Sequence, residues 1–535
     1  MKYIELFAGC GGLSLGLESL DFELVFANEL SPMAGETFAY NLLGEDLRQL
    51  ADTGGTPSKV KWISSNHSPA DLSARLRENP QLFPKFSEKN SDLGLKYSEL
   101  KEKLLIGSII DLNKYLLSHK SIIQDLQKDN IDLVSGGPPC QSFSMAGLRQ
   151  HDNNRNTLPM DFAEFVGLVR PKVALLENVS GILRAFSLPT GKHYAWFEVA
   201  KAFVSKGYYP LCLHVNAKYV GAAQNRPRFI MIAMREDIFQ NFQRNTENET
   251  LSSIQSKIES FYKLESQGVT TLPFDDLEYY DLEKNSALFE VEVLNPLNKY
   301  KDAKSWFSVK DAIDDLSGLA DEKNSFKYPV YLDKTFRNLA KFGVQHGKSN
   351  NSEPRQNSPR VKMRFKLYQH LANIPPSKVN KGIQRDVVNF LKNPDEEKLS
   401  QQSISYLLQK EFMLNDGKSL IKFGDKKPLL EYLCLLATKK QTQRALIANK
   451  PAPAALSIPD DACHYHPSLQ RTLTVREMAR FQSFPDWFEF RSKVTTGGKM
   501  RRFEVPQYTQ VGNAVPPLLG RALGQVISGI LTSSK

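Results

Sequence analysis

The stretch from Ile131 to Cys140 limits the fold of this chain more than any other. Ile131-Asp132-Leu133-Val134-Ser135 is a short apolar run suited to a buried strand, and Gly136-Gly137-Pro138-Pro139 stops it at once. A cysteine directly after such a strand stands at the carboxyl edge of a sheet, where open α/β folds place their ligands. The two prolines fix φ and hold the loop stiff. A lone cysteine is more often an inert core residue than a nucleophile. Polar Gln141, Ser142 and Ser144 argue against a core position here. Cys140 is therefore the candidate around which the other segments are read.

Hydrophobic residues make up 41% and charged residues 24% of 535 positions, a globular composition long enough for two or more domains. The net charge of +10 permits a polyanionic partner. The five cysteines are scattered, with no Cys/His cluster at zinc spacing, so neither a disulfide framework nor a bound metal is expected. A reducing, cytoplasmic setting fits that usage. No basic-then-apolar leader and no membrane-length apolar run is evident, so no membrane partner is expected.

The N-terminus reads as a strand over residues 3–7, a glycine turn through Gly9, Gly11 and Gly12, and a helix carrying Leu13, Leu15 and Leu17. Such a turn lets a ligand approach the backbone. Glu29 ends a second apolar strand, where an acidic residue takes ribose hydroxyls. The turn has no basic residue for a phosphate, which points to a nucleoside-bearing cofactor. A dinucleotide fingerprint is incomplete, because its third glycine place is Ser14. Residues 45–104 read as a polar insertion with short helices at 70–76 and 98–104, and residues 105–110 as a third strand and its edge. Lys172–Leu176 forms another buried strand ending in Glu177, a carboxylate placed at the same edge as Cys140 if the two strands are parallel neighbours. Polar residues 147–157 suit a loop that closes over substrate. Arg226 and Arg228 flank Pro227, and two cations held together call for an anion.

After residue 236 the pattern changes. Residues 245–300 carry eleven acidic and four basic side chains, whereas 341–370 carry seven basic and one acidic. The segment Arg355–Lys366, with Arg360 and Arg364, interleaves basic, amide and aromatic residues as a nucleic-acid surface does. A second, smaller and irregular α+β domain is expected over 236–504. It includes a helix at 471–485 with Thr474 and Glu477 as a capping box. The first domain, 1–235, would be completed by 505–535.

These blocks together resemble the cytosine-C5 DNA methyltransferases of bacterial restriction–modification systems. The matching blocks are Phe7–Gly12, Pro138–Phe143, Glu177-Asn178-Val179, Gln224–Arg228, Leu473–Pro485 and Gly512–Val515, in the family's order. The resemblance implies a Rossmann-like α/β catalytic domain binding S-adenosylmethionine and a target-recognition domain. It makes Cys140 the nucleophile toward C6 of cytosine and Glu177 the group that holds and protonates N3. Arg228, with Arg226 near it, supports the base. Phe7, Gly9, Gly11, Gly12, Leu13, Glu29, Leu30, Ser108, Ile109, Pro138, Asn513 and Val515 line the cofactor. Ser108 stands where the family carries an acidic residue. Duplex DNA is the implied partner, met by Gln141, Ser144, Arg360 and Arg364. A cognate endonuclease would share the target without a stable complex, and a monomer is expected.

The implied chemistry is coherent. C5 of cytosine is a weak nucleophile until a thiolate adds at C6 and makes an enamine. A base stacked in a duplex must flip out to be reached. The same scaffold also serves tRNA cytosine methylation and catalytically silent DNA-binding regulators, and the motifs alone leave both open.

Overall fold

A computed structural model describes residues 1–87, 91–139, 158–188, 191–269, 273–318, 327–343, 350–375, 377–440, 443–454 and 462–533. Among them nine strands form one sheet: β1 (Lys2–Leu6), β2 (Glu23–Glu29), β3 (Val60–Trp62), β4 (Lys103–Ile106), β5 (Leu133–Gly136), β6 (Val173–Val179), β7 (Tyr208–Asn216), β8 (Pro227–Arg235) and β9 (Tyr279–Asp281). Across the sheet they lie in the order β9-β7-β8-β6-β5-β1-β2-β4-β3. β8 runs antiparallel to both β6 and β7, and every other neighbouring pair is parallel. The reversal brings the start of β8 to the carboxyl edge, with Arg228 opposite Val179.

The central strands are apolar on both faces because helices cover both faces. Leu133, Val134 and Val173–Leu176 are fully buried. The C-terminal helix Pro517–Ser533 packs on the first helix, Gly12–Glu18, at backbone distance. A Cβ on Gly16 would lie 2.4 Å from the Pro517 carbonyl oxygen, so only glycine permits the contact. Leu523, Val526, Ile527 and Ile530 are fully buried on this helix. Each such burial is worth roughly 1.5–3 kcal/mol. The C-terminal helix thus packs into the main core.

Several local expectations are revised. Residues 98–104 are a 3-10 turn, Tyr97–Glu99, followed by the start of β4, and a helix begins at Ile109 where strand was expected. Part of the 45–104 insertion belongs to the sheet: β3 is its edge strand, and buried Trp62 lies under Arg75, which pairs with Asp92 at 2.6 Å. The second core also begins well past residue 236. Ile238, Phe261, Leu288, Ile313 and Phe336 pack into the main core, as do Val475, Phe481 and Phe488. The separate core runs from Met363 to Leu436, with Ala445 and Cys463. It is built on the helices Pro359–Ala372, Lys378–Lys392, Gln401–Leu408 and Lys426–Leu435 and a hairpin, Glu411–Met413 with Leu420–Lys422. Acidic residues 245–300 start this discrepancy: their amphipathic helix Glu249–Ser266 docks beside β7. Among the described residues no single helix is long and apolar enough to cross a membrane.

Candidate active site

The carboxyl edge collects the expected residues from three strands. β5 and β6 are parallel neighbours with Gly136 opposite Leu176, so the Gly137–Pro138 turn lies beside Glu177. A Cβ on Gly137 would stand 3.1 Å from Glu177 Oε2. Asn178 donates from Nδ2 to the Pro138 carbonyl at 2.9 Å, which ties the turn to the end of β6. Nothing in the sequence assigns Asn178 a task. A buried amide directly after a strand-end carboxylate was its only signal.

Arg228 Nε pairs with Glu177 Oε1 at 2.7 Å, and both side chains are nine-tenths buried. Burial lowers Arg228 from the ordinary guanidinium range, and the Glu177 charge opposes that shift. Arg226 is also buried but serves different acceptors. Its Nη2 donates to the carbonyls of Gly512 and Ala514, each at 2.9 Å. Pro227 separates the two arginines, and only Arg228 is paired with Glu177. Cys140, Gln141 and Ser144, and the polar loop 147–157, lie outside the described residues.

The second half of the edge is built from β1, β2, β4 and the C-terminal segment. Phe7 and Gly9 both have φ of 55°, and Gly11 at φ 91° starts the first helix from a left-handed conformation. The chain bends so sharply that Gly9 N–H reaches Glu29 Oε2 at 2.8 Å, while Ser31 N–H takes Oε1 at 2.8 Å. Burial raises Glu29 from the ordinary carboxylate range and these backbone donors oppose the rise. A Cβ on Gly9 would meet no protein atom within 4 Å. One on Gly12 would sit 2.2 Å from the Val515 carbonyl, so glycine lets the C-terminal segment close on the turn. Asn513 and Leu30 are exposed beside this pocket, Val515 is half-buried, and Leu13, Ile109 and Pro138 are buried.

Ser14 and Ser108 acquire defined tasks. Ser14 Oγ donates to buried Glu5 under the turn. Burial pushes the Glu5 carboxyl up to about 8. Ser108 caps the helix Ile109–Ser118, accepting from Ile110 N–H at 3.2 Å. A glycine-lined turn, an acidic strand end and no basic group suit a nucleoside cofactor without phosphates. Among the described residues no group of three or more His, Cys, Asp or Glu could hold a metal ion.

The expected DNA contacts of the smaller lobe fall on one helix. Arg360 is exposed and Arg364 half-buried on Pro359–Ala372, one turn apart and so on one face. The expected capping box is present: Thr474 accepts from Glu477 N–H at 3.1 Å and Glu477 accepts from Thr474 N–H at 2.8 Å.

Comparison with known proteins gives a consistent result. The chain is 24% identical over 534 residues to the type II methyltransferase M.DdeI of Desulfomicrobium norvegicum, covering 99% of this chain and 88% of the relative. It is 26% identical to M.Bpa9945I of Bacillus paralicheniformis, over 99% of this chain and 100% of that protein. Identity to M.XorII of Xanthomonas oryzae pv. oryzae is 23%, over 97% and 83%. The family model for C-5 cytosine-specific DNA methylase matches residues 1–59 and 111–529, leaving out β3, β4 and what lies between them. With that span matched on a sheet edge of this build, the chain belongs to the C-5 cytosine-specific DNA methylases.

Proposed function

We propose that this enzyme takes its methyl group from S-adenosylmethionine and places it on one cytosine of a short duplex sequence, as the protective partner in a restriction–modification system. The Glu177–Arg228 pair against the Gly137–Pro138 turn carries this reading. Cys140 follows this turn in sequence, and the reading assigns its thiol and the Glu177 carboxyl group to the same base.

Cys140 adds as thiolate to C6, and the displaced electron pair moves toward N3. Glu177 delivers a proton at N3, so ring charge does not build up, and Arg228 fixes the carboxyl group in place. C5 thereby becomes an enamine carbon. S-adenosylmethionine supplies an electrophilic methyl group when bound. A solvent base then takes the C5 proton, its electron pair re-forms the C5–C6 double bond and expels Cys140 as thiolate, and N3 returns its proton to Glu177. Phe7, Gly9, Gly11 and Gly12 hold the cofactor backbone-side, Glu29 its ribose, and Asn513 and Val515 close it from the C-terminal segment.

Arg360 and Arg364 contact the duplex, and sequence is read by the lobe that carries them. The names of the relatives as type II methyltransferases support the restriction–modification setting. The enzyme works as a cytoplasmic monomer and needs no stable complex with a cognate nuclease. A labelled methyl donor tests the substrate class: label should enter DNA from a methylation-free host and not its tRNA. Label in tRNA alone would overturn the reading.

A further inference from the structure

Arg226 is among the largest fully buried side chains, and among the described residues its guanidinium bonds run to carbonyls and to no carboxylate. Desolvation pushes it well below its ordinary range, so its position has a cost that must be offset locally. Its two described bonds go to carbonyls on either side of Asn513, 286 and 288 residues away in sequence. The same segment is pressed from the other side by the first helix, where the Val515 carbonyl lies against Gly12. Below it, Gln482 Nε2 holds the Val511 carbonyl at 2.9 Å, and Gln510 reaches the Met33, Val505 and Arg491 carbonyls. The Gly512–Val515 strap leaves the short helix Gln507–Asn513, whose last turn Ala514 N–H closes on the Gln510 and Val511 carbonyls, and side chains from distant segments fix where it lies. Arg226 is the one cation among these contacts, and charge-assisted bonds are the strong ones.

We infer that Arg226 is a positioning residue for the cofactor wall, fixing the Gly512–Val515 strap against the Gly12 turn, rather than a partner of the target base. This rests on the reading of that pocket as the cofactor site. Arg226 and Arg228 then divide two tasks across Pro227. Arg228 serves Glu177, and Arg226 serves the strap.

The test compares S-adenosylhomocysteine binding by calorimetry in the intact chain and in Arg226→Lys, Arg228→Lys and Gly12→Ala. Wild-type binding checks the pocket reading by itself; no binding there would sink that reading before any variant is compared. Arg226→Lys keeps a cation but cannot reach both carbonyls, and should weaken binding about 10- to 100-fold. Hydrogen exchange across 510–516 should rise with it. Gly12→Ala pushes the same strap from the opposite side and should weaken binding with Arg226 intact. Arg228→Lys should leave binding within about threefold while lowering kcat. Wild-type affinity and exchange in folded Arg226→Lys, beside a weakened Gly12→Ala, would overturn the inference. So would a fall in kcat at saturating cofactor with unchanged affinity.

Discussion

The two lobes handle charge in opposite ways. Residues 359–450 hold 18 basic and 8 acidic side chains, a surplus of ten that equals the surplus of the whole chain. The rest of the chain carries 51 of each sign and is neutral. In the main lobe several charges are buried and paired, as in Glu177–Arg228, Arg471–Glu477 and Arg480 between Asp315 and Asp486, while buried Arg226 is held by carbonyls instead. In the smaller lobe Arg360, Lys418, Lys422 and Lys427 are exposed. A buried pair fixes geometry, because removing one partner leaves an uncompensated charge. An exposed surplus fixes little but attracts a polyanion over a distance set by salt. On the proposed function, the main lobe holds the reaction still and the smaller lobe gathers and orients the duplex.

This contrast can be broken by substitutions on either side. Glu177→Gln keeps the size of the side chain but removes the proton it delivers. The expected loss in single-turnover rate is about 10²- to 10⁴-fold, with cofactor affinity unchanged. A rate within twofold of wild type would remove Glu177 from the chemistry.

Glu5 tests whether burial in the main lobe is tight enough to govern stability. Its carboxyl is raised from 4.5 to about 8 by burial. Between those values the folded chain keeps a proton that the unfolded chain releases, so stability falls as pH rises through that window. Glu5→Gln should flatten this part of the profile, a difference on the order of 1–3 kcal/mol between pH 5 and pH 8. Parallel melting curves for the two proteins over that range would contradict it.

The smaller lobe should respond more gently. Arg360→Gln should weaken duplex binding about 3- to 10-fold at low salt and reduce the salt slope by about one, leaving kcat untouched. An unchanged slope would place the DNA elsewhere.

The same contrast explains what could be read from sequence. The place of Glu177 at the sheet edge is legible because strand ends fix that edge, and a costly polar residue there has few tasks. Thr474 and Glu477 were legible because capping is local. The partner of Arg226 was not, because its acceptors are backbone atoms nearly 300 residues away and no side-chain pattern marks them. Ser108 enters the cofactor lining only through the resemblance, and its hydroxyl caps the helix Ile109–Ser118. The domain boundary was misplaced because composition changes at 236 while packing changes near 359. The amphipathic helix Glu249–Ser266 lies in an acidic segment, carries a polar face of mixed charge and still docks on the main core. The reading surface of the smaller lobe stayed illegible, since exposed charge has no required register.

The central claim is that the Cys140 edge methylates cytosine at C5 in a defined DNA sequence. Base-resolution methylation mapping of a methylation-free bacterial host expressing this chain, with Cys140→Ser as control, tests it most directly. Near-complete modification at one short motif, absent with Cys140→Ser although that variant still binds DNA, is the predicted result. Soluble wild-type protein in a host whose cytosines remain unmodified, or full modification by Cys140→Ser, would contradict the account.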